Sequence, residues 1–138
     1  MREIEFRGKC MGKNKWVYGF YAMQSFGIGF FPSIIQYNGG SSMPEKVIPE
    51  TVGQYTGLKD KNGVKIFEGD IVKDDYGNIG TVTYLEHFCN WRIVFHKGRP
   101  DLLGKYGCNI FDWIYPDMNL EIIGNIHDNP ELLEQYNE

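Results

Sequence analysis

Four carboxylates stand close together in the chain, at Glu68, Asp70, Asp74 and Asp75. Grouped acids can bind a cation or share a proton-transfer task. Their spacing does not match a calcium-binding loop. Asp70 follows a Glu-Gly pair, where a short carboxylate closes a turn by accepting from nearby backbone N–H groups. That structural reading is preferred. The thiols and imidazoles are scattered: Cys10, Cys89 and Cys108, with His87, His96 and His127. No Cys-x-x-Cys pair is present, so neither a zinc site nor a disulfide framework is indicated. Cys89 or Cys108 could form a dyad with a histidine, but neither sits in a cysteine-hydrolase signature. A nucleophile elbow, a P-loop and a dinucleotide fingerprint are all missing, and Gly27-Ile28-Gly29 lacks the third glycine and a following helix. No catalytic residue, metal or cofactor is expected, and the chain does not read as an enzyme.

Binding chemistry is better represented. Lys97, Arg99, Lys105 and Tyr106 fall in one loop bearing Gly98, Pro100, Gly104 and Gly107, flanked by Trp91, Arg92 and Trp113. Basic groups beside aromatic faces can hold phosphates and stack bases, as small barrels do with single strands. Against this, the apolar neighbours of Trp91 and Trp113 place both rings in a core. The net charge of −4 also argues against a general electrostatic hold on nucleic acid. Residues 1–46 carry six Lys or Arg against three Glu (+3), and residues 47–138 carry eight against fifteen acids (−7). The acidic part suits a basic or neutral protein partner. A protein partner therefore ranks first, single-stranded nucleic acid second, and self-association through an N-terminal edge strand is a variant of the first. The candidate binding positions are Tyr55, Asp70, Trp91, Arg99, Lys105, Tyr106 and Trp113.

These residues need strands to hold them. An aromatic share of 15% with 17 glycines suits short strands and tight turns better than helices. Residues 2–7 alternate polar and apolar, with Ile4 and Phe6 inward. Residues 16–21 return as a partner strand, 23–29 read as a loop, and 30–37 form a third strand that Pro32 confines to an edge or a start. Residues 38–44 have linker composition, so the boundary falls there: 1–46 as an N-terminal β-hairpin subdomain and 47–138 as the main domain. In the main domain, strands are expected at 51–56, 64–67, 71–73, 79–85, 91–95 and 119–125. Asn62-Gly63 supplies the tight turn after the first of them. Asn129 and Pro130 then open a short C-terminal helix. The architecture expected is mostly β: an SH3-like small β-barrel with an N-terminal β subdomain and that helix. Free thiols fit a reducing cytoplasm, and no apolar run reaches the ~18 residues of a membrane span.

Three stretches also resemble a known family. "ETVGQYTGLKDKNGVKIFEGDIVK" (50–73), "LEIIGNIHDNPELL" (120–133) and the opening "REIEFRGK" (2–9) are similar to the YopX family of phage and prophage proteins. The resemblance implies a phage setting, a bacterial host cytoplasm and the same small-barrel architecture. It implies no activity.

Overall fold

Short alternating segments punctuated by Gly, Asn and Asp become eleven strands among the described residues. The computed structural model describes residues 2–25, 27–36, 43–98, 107–109 and 119–134. It divides into two compact units, 1–55 and 56–138.

In the first unit β1 (Phe6–Lys9), β2 (Trp16–Ser25), β3 (Phe30–Gln36), β4 (Glu45–Lys46) and the start of β5 (Gly53–Lys59) lie in the order β4-β3-β2-β1-β5. Neighbours are antiparallel. Cys10, Val17, Ile34 and Val47 are buried together, with Phe6 and Val52 packed against them. Val17 and Ile34 reach the same core because side chains two apart on a strand share a face. Backbone bonds lock this core: Val47 N–H donates to Pro32 O at 3.1 Å, and Lys9 N–H donates to Thr51 Oγ1 at 2.9 Å. Two expectations shift here. The first strand begins at Phe6, and Ile4 is exposed rather than inward. β2 runs on to Ser25, through part of the expected loop, because its second half pairs with β3 from Phe20↔Ile35 to Ser25↔Phe30.

The second unit starts on the far half of β5, with β6 (Lys65–Phe67) beside it. Gly63 takes φ +80 at the turn, a conformation glycine adopts without a Cβ penalty. Asp60 N–H closes that hairpin on Val64 O at 2.8 Å. β7 (Asp70–Lys73), β8 (Ile79–Leu85), β9 (Asn90–Lys97), β10 (Cys108–Asn109) and β11 (Glu121–Asn125) form an antiparallel sheet in the order β10-β9-β8-β7-β11. Its core is Ile66, Val72, Val82, Ile93, Phe95 and Leu120, with Leu58, Trp91 and Ile122 packed against it. Each such buried aliphatic side chain contributes about 1.5–3 kcal/mol by leaving water. The β8–β9 ladder comes close enough at Gly80 that a Cβ there would lie 2.6 Å from Ile93 Cγ2. α1 (Glu131–Glu134) follows, with Leu132 N–H donating to Asn129 O at 3.1 Å.

The expected closed barrel is not formed. Closure requires the two outer strands of a sheet to hydrogen-bond to each other. Among the described residues β10 pairs only with β9, and β11 only with β7, so this five-stranded sheet stays open. Among the described residues no helix is long and apolar enough to cross a membrane.

Candidate functional site

The clustered acids are taken up by turns. Asp70 is buried, and its Oδ2 accepts from Phe67 N–H at 2.7 Å. Asp74 is buried too. Its Oδ1 accepts from the N–H groups of Tyr76 and Asn78, both at 2.9 Å, and its Oδ2 accepts from Asn78 Nδ2 at 2.7 Å. Asp60 uses the same device: Oδ1 accepts from Asn62 and Val64, and Oδ2 reaches Ile122 N–H at 3.1 Å, fastening the hairpin to β11. Carboxylates filled by backbone donors hold loops in shape. Asp75 is exposed and accepts from Asn119 Nδ2 at 3.1 Å. Among the described residues no three of His, Cys, Asp and Glu are grouped to hold a metal ion.

The thiols and imidazoles are equally dispersed. Cys10 is buried in the first core, and that burial, with Glu45 as the second cause, pushes its thiol pKa up. Cys89 is exposed in the β8–β9 turn, where its Sγ donates to Glu86 O at 3.3 Å. His96 lies against Thr81, with Nε2 2.9 Å from Oγ1, and burial lowers its pKa.

Three of the seven candidate binding positions, Tyr55, Asp70 and Trp91, lie among the described residues. Tyr55 is buried, with its N–H donating to Glu5 O at 2.8 Å. Asp70 on β7 and Trp91 on β9 are separated by β8. Trp91 is half-buried against the second core and meets Tyr84 edge-on, with centroids 5.0 Å apart. Arg99, Lys105, Tyr106 and Trp113 lie outside the described residues. Beside Trp91, the Arg92 guanidinium sits 4.5 Å over Phe88 and donates to Gly107 O at 2.9 Å. That cation is held by the protein itself.

The surface that stands out is elsewhere. β1 covers the outer side of β2 only from Trp16 to Gly19. From Phe20 to Ser25, β2 has β3 alone as its ladder partner among the described residues. The result is a two-stranded ribbon that exposes Phe20, Tyr21, Met23 and Phe30, the last 70% accessible, beside Ser25, with Ile28 exposed in the connection. Phe20 lies on one face, while Tyr21 and Met23 lie on the other, since neighbours on a strand alternate. From Trp16 to Pro44 the sequence contains no Asp, Glu, Lys, Arg or His. Large apolar side chains exposed in such a group point to contact with another molecule.

The YopX family model matches residues 5–134, nearly the whole chain. The chain belongs to the YopX family. Its fold is similar to the crystal structure of protein EF1440 from Enterococcus faecalis, with a TM-score of 0.56 and 25% identity over 96% of this chain and 99% of that one. No curated protein matches it. The YopX match spans both units, so the uncharged ribbon and the aspartate-held turns lie inside the matched region. The sequence carried a signal for the ribbon that net charge conceals. The six cations of residues 1–46 stand at Lys15 or before it, and at Lys46, leaving the stretch between them empty.

Proposed function

We propose that this YopX-family chain is a non-enzymatic binding module that recognises a protein partner, and that it acts as a phage-encoded accessory protein in the bacterial cytoplasm. The observation that carries the reading is the β2–β3 ribbon, uncharged, apolar on both faces and open along the β2 edge. Another polypeptide can extend such an edge by strand addition, with backbone bonds supplying affinity and apolar side chains supplying contact area. The turn roles of Asp60, Asp70 and Asp74 support a non-catalytic reading. The SH3-like likeness rests on the Gly69-Asp70 turn and the β7–β8–β9 meander behind it, and recognition is placed on the first unit instead.

Single-stranded nucleic acid is the alternative, drawing on the exposed Tyr84 and Phe88 rings near Trp91. It ranks second because Arg92 already serves Phe88 and Gly107. Affinity capture from host lysate with the tagged chain, with and without nuclease, separates the two. The expected result is a stoichiometric protein, which an untagged copy of this chain supplied to the lysate would satisfy, retained at about 0.3 M salt, where exposed charge pairs are screened. Its capture should be lost in Phe30→Lys. Capture that vanishes with nuclease and ignores Phe30→Lys would transfer the function to the Trp91 surface.

A further inference from the structure

We infer that the polypeptide seated on the β2 edge is a second copy of this chain, paired antiparallel about a two-fold axis at Met23. This rests on the reading above and names its partner.

The backbone directions follow from the ladder. Pro32 O accepts from Val47 N–H, so Pro32 and Ile34 point their backbone groups away from β2. In an antiparallel ladder opposite residues point the same way relative to the shared line of bonds. Tyr21, opposite Ile34, and Met23, opposite Pro32, therefore face the outer side of β2, as does Ser25. The backbone groups of those three residues form an alternating row of donors and acceptors past the last β1 pair, Phe6↔Gly19, while the Tyr21 ring still meets Phe6 of β1, with centroids 5.7 Å apart. The other margin of the ribbon differs. β4 pairs with β3 at Ser33 and Ile34, and Pro32 offers no N–H beside them. Among the described residues of the ribbon, the β2 margin is the one open to a full ladder.

That row is self-complementary. A two-fold axis at Met23 sets Tyr21 opposite Ser25 of the other copy and Met23 opposite its own image, with each outward N–H meeting an outward C=O. Charge selects the same occupant. The chain carries −4, so most faces of two copies repel, while the stretch from Trp16 to Pro44 contributes no charge to that repulsion. Lys46 and Glu45 of β4 border the β3 side, with Lys46 Nζ 4.4 Å over the Phe31 ring, whereas the β2 margin carries no charge of its own, and a second β2 strand needs none. Edge strands of monomers are guarded by Lys, Pro or inward charges, and β2 from Phe20 to Ser25 has none of these. The product is a continuous β3-β2-β2-β3 sheet in which Tyr21, Met23 and Phe20 gain neighbours.

Light scattering on the full chain, with two variants, tests this. The wild type is expected at twice the 16.0 kDa chain mass. Met23→Pro deletes a donor that the β2–β3 ladder does not use, so the chain should stay folded by circular dichroism and run as a monomer. Met23→Cys should cross-link on oxidation, because directly opposed residues of a hydrogen-bonded pair stand about 5.5 Å apart at Cα, within disulfide reach. The unmutated chain, treated alike, measures any cross-linking through the exposed Cys89, and Met23→Cys should exceed it. A wild-type monomer at all concentrations overturns the inference, as does a dimer that tolerates Met23→Pro and fails to cross-link through Met23→Cys. If the wild type is monomeric yet Met23→Pro abolishes capture of another protein, the second copy is wrong and the binding module stands.

Discussion

In the second unit, buried carboxylates hold the turns. Asp60, Asp70 and Asp74 each accept backbone N–H groups of their own loops, and Asp60 also reaches β11. In the first unit the longest hairpin, β2–β3, extends past the core with no charged residue along it and with Phe20, Met23, Ile28 and Phe30 in solvent. The same chain thus spends its polar chemistry internally in one region and withholds it from the surface in another. A carboxylate filled by backbone donors raises stability and offers little to a ligand. An apolar ribbon in water adds little to the stability of its own unit and gains when something covers it. Stability and recognition are separable here, residue by residue.

The contrast breaks most sharply at Asp74. Asp74→Ala leaves the N–H groups of Tyr76 and Asn78 and the Asn78 amide without their acceptor, and Asn78 is itself buried. Each orphaned buried donor costs about 1–3 kcal/mol, and Tyr76 is exposed, so a loss near 3 kcal/mol from the two Asn78 donors is expected in urea denaturation. A loss below about 1 kcal/mol would mean that the loop reforms its bonds without the carboxylate, and the aspartate account of the second unit would fail.

Phe30→Lys should do the reverse. The side chain is 70% exposed at the end of β3, so its replacement should change stability by no more than about 0.5 kcal/mol in the same assay. A large destabilisation would show that Phe30 is packed for structure, and the ribbon would lose its claim to be a recognition surface.

How far the sequence reveals this division depends on how local each feature is. The Asn62-Gly63 turn, the Asp70 turn, β8 and the β8–β9 hairpin are written in neighbouring residues, and they appear where turn chemistry and alternation put them. The end of β2 was not legible, because Met23-Gln24-Ser25 beside Gly27 and Gly29 has loop composition and becomes a strand only by pairing with β3. Barrel closure was not legible either. It depends on whether β10 and β11 meet, a pairing of distant segments that no local pattern encodes. Tyr55 and Asp70 carry residue types suited to binding, yet both are buried in the fold. Residue type says what a side chain can do, and burial decides whether a partner can reach it.

The smallest effect belongs to His96, whose pKa burial lowers from its ordinary 6.5. Neutral His96 suits its contact with Thr81, since one ring nitrogen can accept from the hydroxyl. As pH falls through 6.5 the unfolded chain takes up its proton first, while the folded chain resists until its lower pKa is reached. Across that window the unfolded state binds more protons, so stability declines with falling pH and levels off below the folded value. His96→Gln removes the titration while keeping a group that can meet Thr81. Unfolding midpoints measured from neutral pH downward should therefore show a shallower decline for His96→Gln than for the wild type, beginning near the same point. Parallel curves would mean that the acid sensitivity of the second unit arises elsewhere.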